Sequence, residues 1–292
     1  MGYVYVLQAF FAWGVLPIFW KLLSHVSAVE ILAHRIFWSF AFLALWLLWT
    51  KQKKLMDLLR QKKTRNSLII SSLLVGSNWG LFIFAVNINQ IVEASLGYYI
   101  NPIVNVLLGM LVLNEKLDKL KFSALLIASA AVVYLTIDYG QFPWIALYLA
   151  GSFGLYGLVK KTAGIEAIPA LAVETLILTP IAAIFIGYKM WHGSGTLFAE
   201  SISTDFYLIM TGIVTTLPLY WFAKGAQRIP LSAVGFMQYI GPTLMLLIGV
   251  LVYDEEFRYE QGIAFGLIWL ALALYTISMI RNTRKKLTVS NE

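Results

Sequence analysis

Apolar residues along this chain fill whole segments, and polar residues gather in short intervals between them. A helix needs about 20 consecutive, mostly apolar residues to cross a bilayer. Ten such runs can be traced, at roughly 2–22, 27–49, 67–88, 91–113, 119–137, 142–159, 168–188, 206–226, 231–252 and 259–280. The pattern predicts an all-α integral membrane protein with ten transmembrane helices. The first run, MGYVYVLQAFFAWGVLPIFWKLL, has no basic leader and no small-x-small cleavage site, so it reads as a retained first span.

Charge placement orients these spans, because Lys and Arg near helix ends are held in the cytoplasm. With the N-terminus inside, 18 of the 22 basic residues fall in cytoplasmic segments, Lys160 and Lys161 among them. Lys21, Lys189 and Arg258 lie on the other side, and Arg35 lies within a span. The expected topology is N-in and C-in, with residues 283–292 a cytoplasmic tail. The basic run KQKKLMDLLRQKKTR at 51–65 is explained as a topogenic loop facing lipid headgroups, so no nucleic-acid partner is implied.

Composition agrees with lipid as the solvent, since 60% of the 292 residues are hydrophobic and 13% charged. Too few charged side chains are present to cover a soluble protein of this size. There are no cysteines, which excludes disulfides, a thiolate nucleophile and Cys-based zinc or iron–sulfur sites. No cofactor or metal site is expected.

The chain also repeats itself. Shifted by 140 residues, YYINPIVNVLLGMLVLNE (98–115) aligns without a gap on QYIGPTLMLLIGVLVYDE (238–255). The same shift pairs Gly14 with Gly154, Lys21 with Lys161 and Phe82 with Phe222. SAVE at 27–30 matches LAVE at 171–174 with a four-residue loop difference. Five helices per copy is an odd number, so the second copy enters the membrane from the opposite side. Inverted repeats of this kind place a site near the midplane of many secondary transporters. The repeats are expected at 1–138 and 142–282.

These residues resemble a known family. Two five-helix units, each with a mid-helix proline in its fourth helix, are similar to the EamA repeat of the drug/metabolite transporter superfamily. AHRIFWS (33–39), SNWGLFIFAVN (77–87) and ASLGYYINP (94–102) resemble its RarD branch, the chloramphenicol-sensitivity permeases. The resemblance covers essentially the whole chain. It implies a bacterial inner-membrane carrier in which helices 1–4 and 6–9 line a cavity and helices 5 and 10 are peripheral. Small multidrug exporters of the superfamily carry an acidic coupling residue in the first helix, whereas residues 2–22 here contain none.

Polar groups inside spans are costly and mark candidate sites. Arg35 lies about 12 Å along the second helix at 1.5 Å per residue. It reads either as an anchor for a substrate carboxylate or phosphate, or as a structural partner of Glu93 or Glu30. Glu174 sits deeper in its helix than its repeat mate Glu30, and a carboxylate in the first turns is also favoured by the helix dipole. Glu115 reads as a terminal salt-bridge position beside Lys116 and Lys119. A central layer holds Trp13, Trp38, Asn78, Trp79, Tyr98, Tyr99, Asn101, Asn105, Tyr156, Tyr220, Trp221, Gln238 and Tyr239, which suits a flat or amphipathic organic molecule or, alternatively, helix–helix packing. Pro102 and Pro242 predict a matched pair of kinks with Tyr99 and Tyr239 one turn away.

The leading expectation is a secondary exporter of a small organic metabolite or drug. ATP-driven transport lacks a GxxxxGK[ST] loop, and a membrane enzyme lacks HExxH, GxSxG or paired intramembrane aspartates. A non-transporting membrane subunit is the remaining class; oligomeric state is not specified by sequence.

Overall fold

A computed structural model describes residues 1–50, 59–88, 90–254 and 259–290. Its regular structure is helical throughout: α1 (Gly2–Lys21), α2 (Ala28–Trp49), α3 (Lys62–Asn87), α4 (Ile91–Leu111), α5 (Lys119–Tyr139), α6 (Trp144–Ala163), α7 (Ala167–Trp191), α8 (Ile202–Ala226), α9 (Leu231–Gln238), α10 (Ile240–Val252) and α11 (Tyr259–Ser290). Nine spans among the described residues are long and apolar enough to cross a membrane, with α9 and α10 counted together. The remaining run, at 142–159, is α6, a 20-residue helix that falls outside those nine. It carries Lys160, Lys161 and three glycines, and it packs between α3 and α4 in the bundle.

Helix boundaries follow from local chemistry. The Ser27 hydroxyl accepts from the Glu30 amide at 3.4 Å and starts α2, in the S-x-x-E spacing of a capping box. Asp118 caps α5 through the Lys121 amide at 3.0 Å, and Gly140, at φ +75°, ends it in the left-handed region. The amides opening α9 are capped from a distance. Glu115 accepts from Leu231 N at 2.6 Å, Ser232 N at 2.9 Å and the Ser232 hydroxyl at 2.7 Å. This corrects the expected salt bridge of Glu115 with Lys116 and Lys119: free amides at a helix N-terminus are a natural seat for a carboxylate. Glu255, its repeat mate, lies outside the described residues, as do Arg258 and the basic residues at 51–58.

Burial is inside out relative to a water-soluble protein. Leu48, Leu111, Ile137, Ile181 and Leu251 are exposed, whereas Ser71, Glu93, Asn101, Asn105, Glu174, Thr211 and Gln238 are buried. In lipid, apolar side chains gain nothing by burial against one another, so polar groups and close packing hold the helices together. The chain is a multi-pass membrane protein. Helices α5 and α11 pack mainly on each other at one side of the bundle. The main pairs elsewhere are α1 with α8 and α10, α2 with α7 and α8, α3 with α6 and α7, and α4 with α6 and α9.

The two prolines behave differently. Helix α4 runs unbroken through Pro102, whereas α9 stops at Gln238 and α10 restarts at Ile240, with Tyr239 between them. Pro242 has no N–H for the Gln238 carbonyl four residues back, and the ladder resumes with Thr243 N to Tyr239 O at 3.1 Å. At the crossing of α4 and α9, a Cβ on Gly235 would lie 2.5 Å from the Pro102 carbonyl oxygen, so only glycine permits that approach.

Candidate functional site

Arg35 projects from α2 two turns after its cap. Its Nε–H donates to Thr215 Oγ1 on α8 at 2.9 Å. The guanidinium lies between two indoles, 4.9 Å from the ring centre of Trp20 on α1 and 5.0 Å from that of Trp79 on α3. Cation–π attraction of this kind holds a guanidinium without neutralising it. Three other helices therefore surround one cation.

Neither expected carboxylate partner reaches it. Glu30 accepts from Thr196 N at 2.6 Å and pairs with Lys189 at 3.7 Å. Glu93 accepts from Ile145 N at 2.7 Å and from the Tyr139 hydroxyl at 3.1 Å. Among the described residues no carboxylate lies within ion-pair distance of Arg35. The helices bearing Arg35 and Thr215 meet at Gly212, where a Cβ would sit 2.5 Å from the Trp38 carbonyl carbon. The Ser39 hydroxyl donates to the Gly212 carbonyl at 3.1 Å in the same contact. Nearby, Trp38 Nε1, His34 Nδ1 and Thr216 Oγ1 are buried with no hydrogen-bond partner among the described residues.

A second group of predicted residues forms an aromatic cluster. Trp13 lies 5.8 Å from Phe153 and 5.7 Å from Phe222, and Tyr156 stacks on Phe222 at 6.1 Å with 11° between the ring planes. The Tyr156 hydroxyl donates to Glu174 at 3.3 Å.

The central amides hold helices together. Asn78 donates to Leu149 O and Ser152 Oγ, both at 2.9 Å; Asn101 donates to Ala150 O at 2.5 Å; Asn105 donates to Gln238 Oε1 at 2.9 Å. Tyr239, fully buried, donates to the Tyr99 carbonyl at 3.2 Å, and Tyr220 accepts from Lys224 at 2.6 Å. A cavity of about 240 Å³ beside Tyr99 is lined by Ser95, Asp138, Tyr139, Gln261 and Phe265, apart from Arg35. No group of three His, Asp or Glu able to hold a metal occurs among the described residues.

Sequence reasoning missed Trp20, which sits at a helix end like an interfacial aromatic, and Thr215, one hydroxyl among many. Lys160, counted among cytoplasmic cations, is 4% exposed and paired with Glu174 at 2.5 Å. The 140-residue shift places Lys160 on Trp20, a signal that this end of α6 faces inward as Trp20 does.

The EamA-like transporter family matches residues 1–137 and again 143–277. The chain is 45% identical to the uncharacterized transporter YojE of Bacillus subtilis over 285 residues, covering 96% of this chain and 95% of that one. It is 40% identical to protein RarD of Escherichia coli over 285 residues, with 97% and 96% covered. A chloramphenicol-sensitive protein RarD of Pseudomonas aeruginosa is 27% identical over 291 residues, with 98% and 96% covered. A crystal structure at 18% identity superposes with a TM-score of 0.72, covering 94% of this chain and 97% of the other, which shows the fold alone.

Proposed function

The chain belongs to the EamA-like transporter family, RarD branch, and from this premise we propose that it is a secondary transporter exporting a small organic anion across the bacterial inner membrane. The observation that carries this reading is Arg35, a cation at membrane depth held between Trp20 and Trp79 with no carboxylate among the described residues to neutralise it. An unpaired charge within a membrane span is costly and is retained where a ligand completes it. The substrate fitting these contacts carries a carboxylate or phosphate for the guanidinium fork and a flat group for the indoles.

Alternating access of two inverted repeats, with both termini inside, accounts for the packing. Gly14 on α1 abuts Leu244, and Gly154 on α6 abuts Val104; glycines and leucine/valine alike are 140 residues apart. Likewise α1 packs on α8 and α10 as α6 packs on α3 and α4. Such exchange of partners is what a two-fold axis in the membrane plane produces, and rocking about it opens the site to either side.

Proteoliposome counterflow with amino acids, aromatic acids and amphenicols tests the proposal. Movement above empty vesicles that is lost in Arg35→Gln is expected. No movement of any member above empty vesicles would refute it.

A further inference from the structure

Two cations meet at the end of α8. Lys224 Nζ donates to the Tyr220 hydroxyl at 2.6 Å, and Arg228 Nη1 donates to the Lys224 carbonyl at 2.6 Å. Both charges lie against the ring of Tyr5 on α1, Lys224 at 4.8 Å and Arg228 at 5.7 Å from its centre. Glycines set this arrangement. A Cβ on Gly225 would lie 2.5 Å from Val6 Cγ2, and one on Gly2 would lie 2.7 Å from Arg228 Cβ, so α1 and α8 close until Tyr5 reaches both cations. Among the described residues no carboxylate lies within ion-pair distance of either. Glu115, at the same end of the bundle, is engaged by the amides of Leu231 and Ser232.

Like charges four residues apart on a helix repel, and contact with a ring holds a cation without neutralising it. The corner therefore gains from an anion. A helix turns about 100° per residue, so Ile213, Leu217, Tyr220, Lys224 and Arg228 share one face of α8, nearly opposite the fully buried Phe222. Ile213 and Leu217 are exposed. This face offers apolar surface within the span and two cations where the span ends. Packing alone does not call for the cations: the 140-residue shift places Lys224 on Phe84 and Arg228 on Ile88, both exposed and apolar.

We propose that this corner of α1 and α8 is a binding site for an anionic phospholipid, with its phosphodiester on Lys224 and Arg228 and an acyl chain along Leu217 and Ile213. The guanidinium has five donors and gives one to the Lys224 carbonyl; the ammonium has three and gives one to Tyr220. The others serve the phosphate oxygens in charge-assisted bonds. Basic pockets between transmembrane helices take lipid headgroups in this way. A zwitterionic headgroup carries its own ammonium beside its phosphate and gains less. The inference needs only that the chain spans a membrane, and it stands apart from the Arg35 site, since Lys224, nine residues after Thr215, lies on the opposite face of α8.

The chain has no cysteine, so one can be placed on the lipid face of the full-length protein. Leu217→Cys lies about 10 Å from Lys224 along α8. Ser77→Cys is its exposed counterpart on α3, on the face that carries Phe84 and Ile88. Each is labelled with bimane and reconstituted in phosphatidylcholine vesicles holding a minor fraction of acyl-brominated phosphatidylglycerol or acyl-brominated phosphatidylcholine. Quenching at 217 is expected to show roughly tenfold tighter binding of phosphatidylglycerol, as two cations at the membrane surface allow, with no preference at 77. Lys224→Gln with Arg228→Gln is expected to remove the preference, and Lys62→Gln with Lys63→Gln, an equal loss of charge elsewhere, to keep it. Equal preference at 217 and 77, survival in the first double variant, or equal loss in the second overturns the proposal. The comparison of 217 with 77 keeps the native cations, so a misfolded double variant cannot obscure it. Inorganic phosphate that raises the melting temperature of the wild type in detergent, but not that of Lys224→Gln with Arg228→Gln, assigns the cations to a soluble anion and overturns the lipid as occupant.

Discussion

Gly212→Ala perturbs the joint that brings Arg35 to Thr215. The new Cβ would lie 2.5 Å from the Trp38 carbonyl carbon, 2.6 Å from its Cβ and 2.8 Å from Ser39 N. Two of these three atoms belong to backbone, so no rotamer change relieves the contact, and α2 and α8 must separate by about 1 Å to reach ordinary van der Waals distance. Overpacking of this kind costs about 1–3 kcal/mol. Separation also strains two hydrogen bonds, Ser39 Oγ to Gly212 O and Arg35 Nε to Thr215 Oγ1, each contributing about 1 kcal/mol. Alanine's better helix propensity returns about 1 kcal/mol. The net loss is about 2–4 kcal/mol, a fall in melting temperature on the order of 5 °C or more. Gly80→Ala is the control, because a Cβ there meets nothing within 4 Å. Melting of purified protein, followed by tryptophan fluorescence, should separate the two variants. If Gly212→Ala melts with or above Gly80→Ala, the close approach of α2 and α8 is wrong, and the placement of Arg35 fails with it.

Glu115→Ala removes the acceptor for three donors at the start of α9 and should cost about 2–4 kcal/mol, with Glu115→Gln retaining part of it; equal melting of both variants with the wild type would remove the trans cap. Pro242→Ala restores the N–H that Gln238 O lacks, so the span should become one continuous helix; the expected result is a higher melting temperature with slower counterflow, and a lower melting temperature contradicts it. Asp118, in the loop before α5, is pushed up by burial, but hydrogen bonds from Ser278, the Lys121 amide and Asn282 and the charge of Lys121 more than offset this and hold it below its ordinary value of 3.8. A depressed carboxylate contributes stability above its unfolded pKa and loses it as pH falls through the folded one. The wild type should thus lose its advantage over Asp118→Asn as pH drops below about 4, and a gap unchanged down to about pH 2 would show that the charge contributes nothing.

Much of the architecture was legible because its cause is local. A lipid-facing helix must be apolar along about 20 residues whatever it packs against, so the spans could be drawn from the sequence, α6 included although it falls outside the nine most apolar ones. The repeat was legible for a similar reason, since matched residues such as Gly14 and Gly154 do matched packing tasks. The partners of the polar groups were not. Glu30 and Glu93 were plausible counter-ions for Arg35, yet each turns to a backbone amide, on Thr196 and Ile145. Glu115 passes over its neighbouring lysines for amides 116 and 117 residues away.

The sequence by itself determined that the chain lives in lipid, where most of its long apolar spans lie, and that one half repeats the other. Only the tertiary structure decided that Lys160 is a buried partner of Glu174, that Arg35 rests between indoles with no carboxylate beside it among the described residues, and that the helix yields at Tyr239 but holds through Pro102. The physical reason is one of range. Transfer of a segment into hydrocarbon depends on its own composition, whereas the pairing of a buried charge depends on which helix faces it, at what rotation and how closely. In YYINP and QYIGP the local sequence is nearly the same, and the helices around them make the difference.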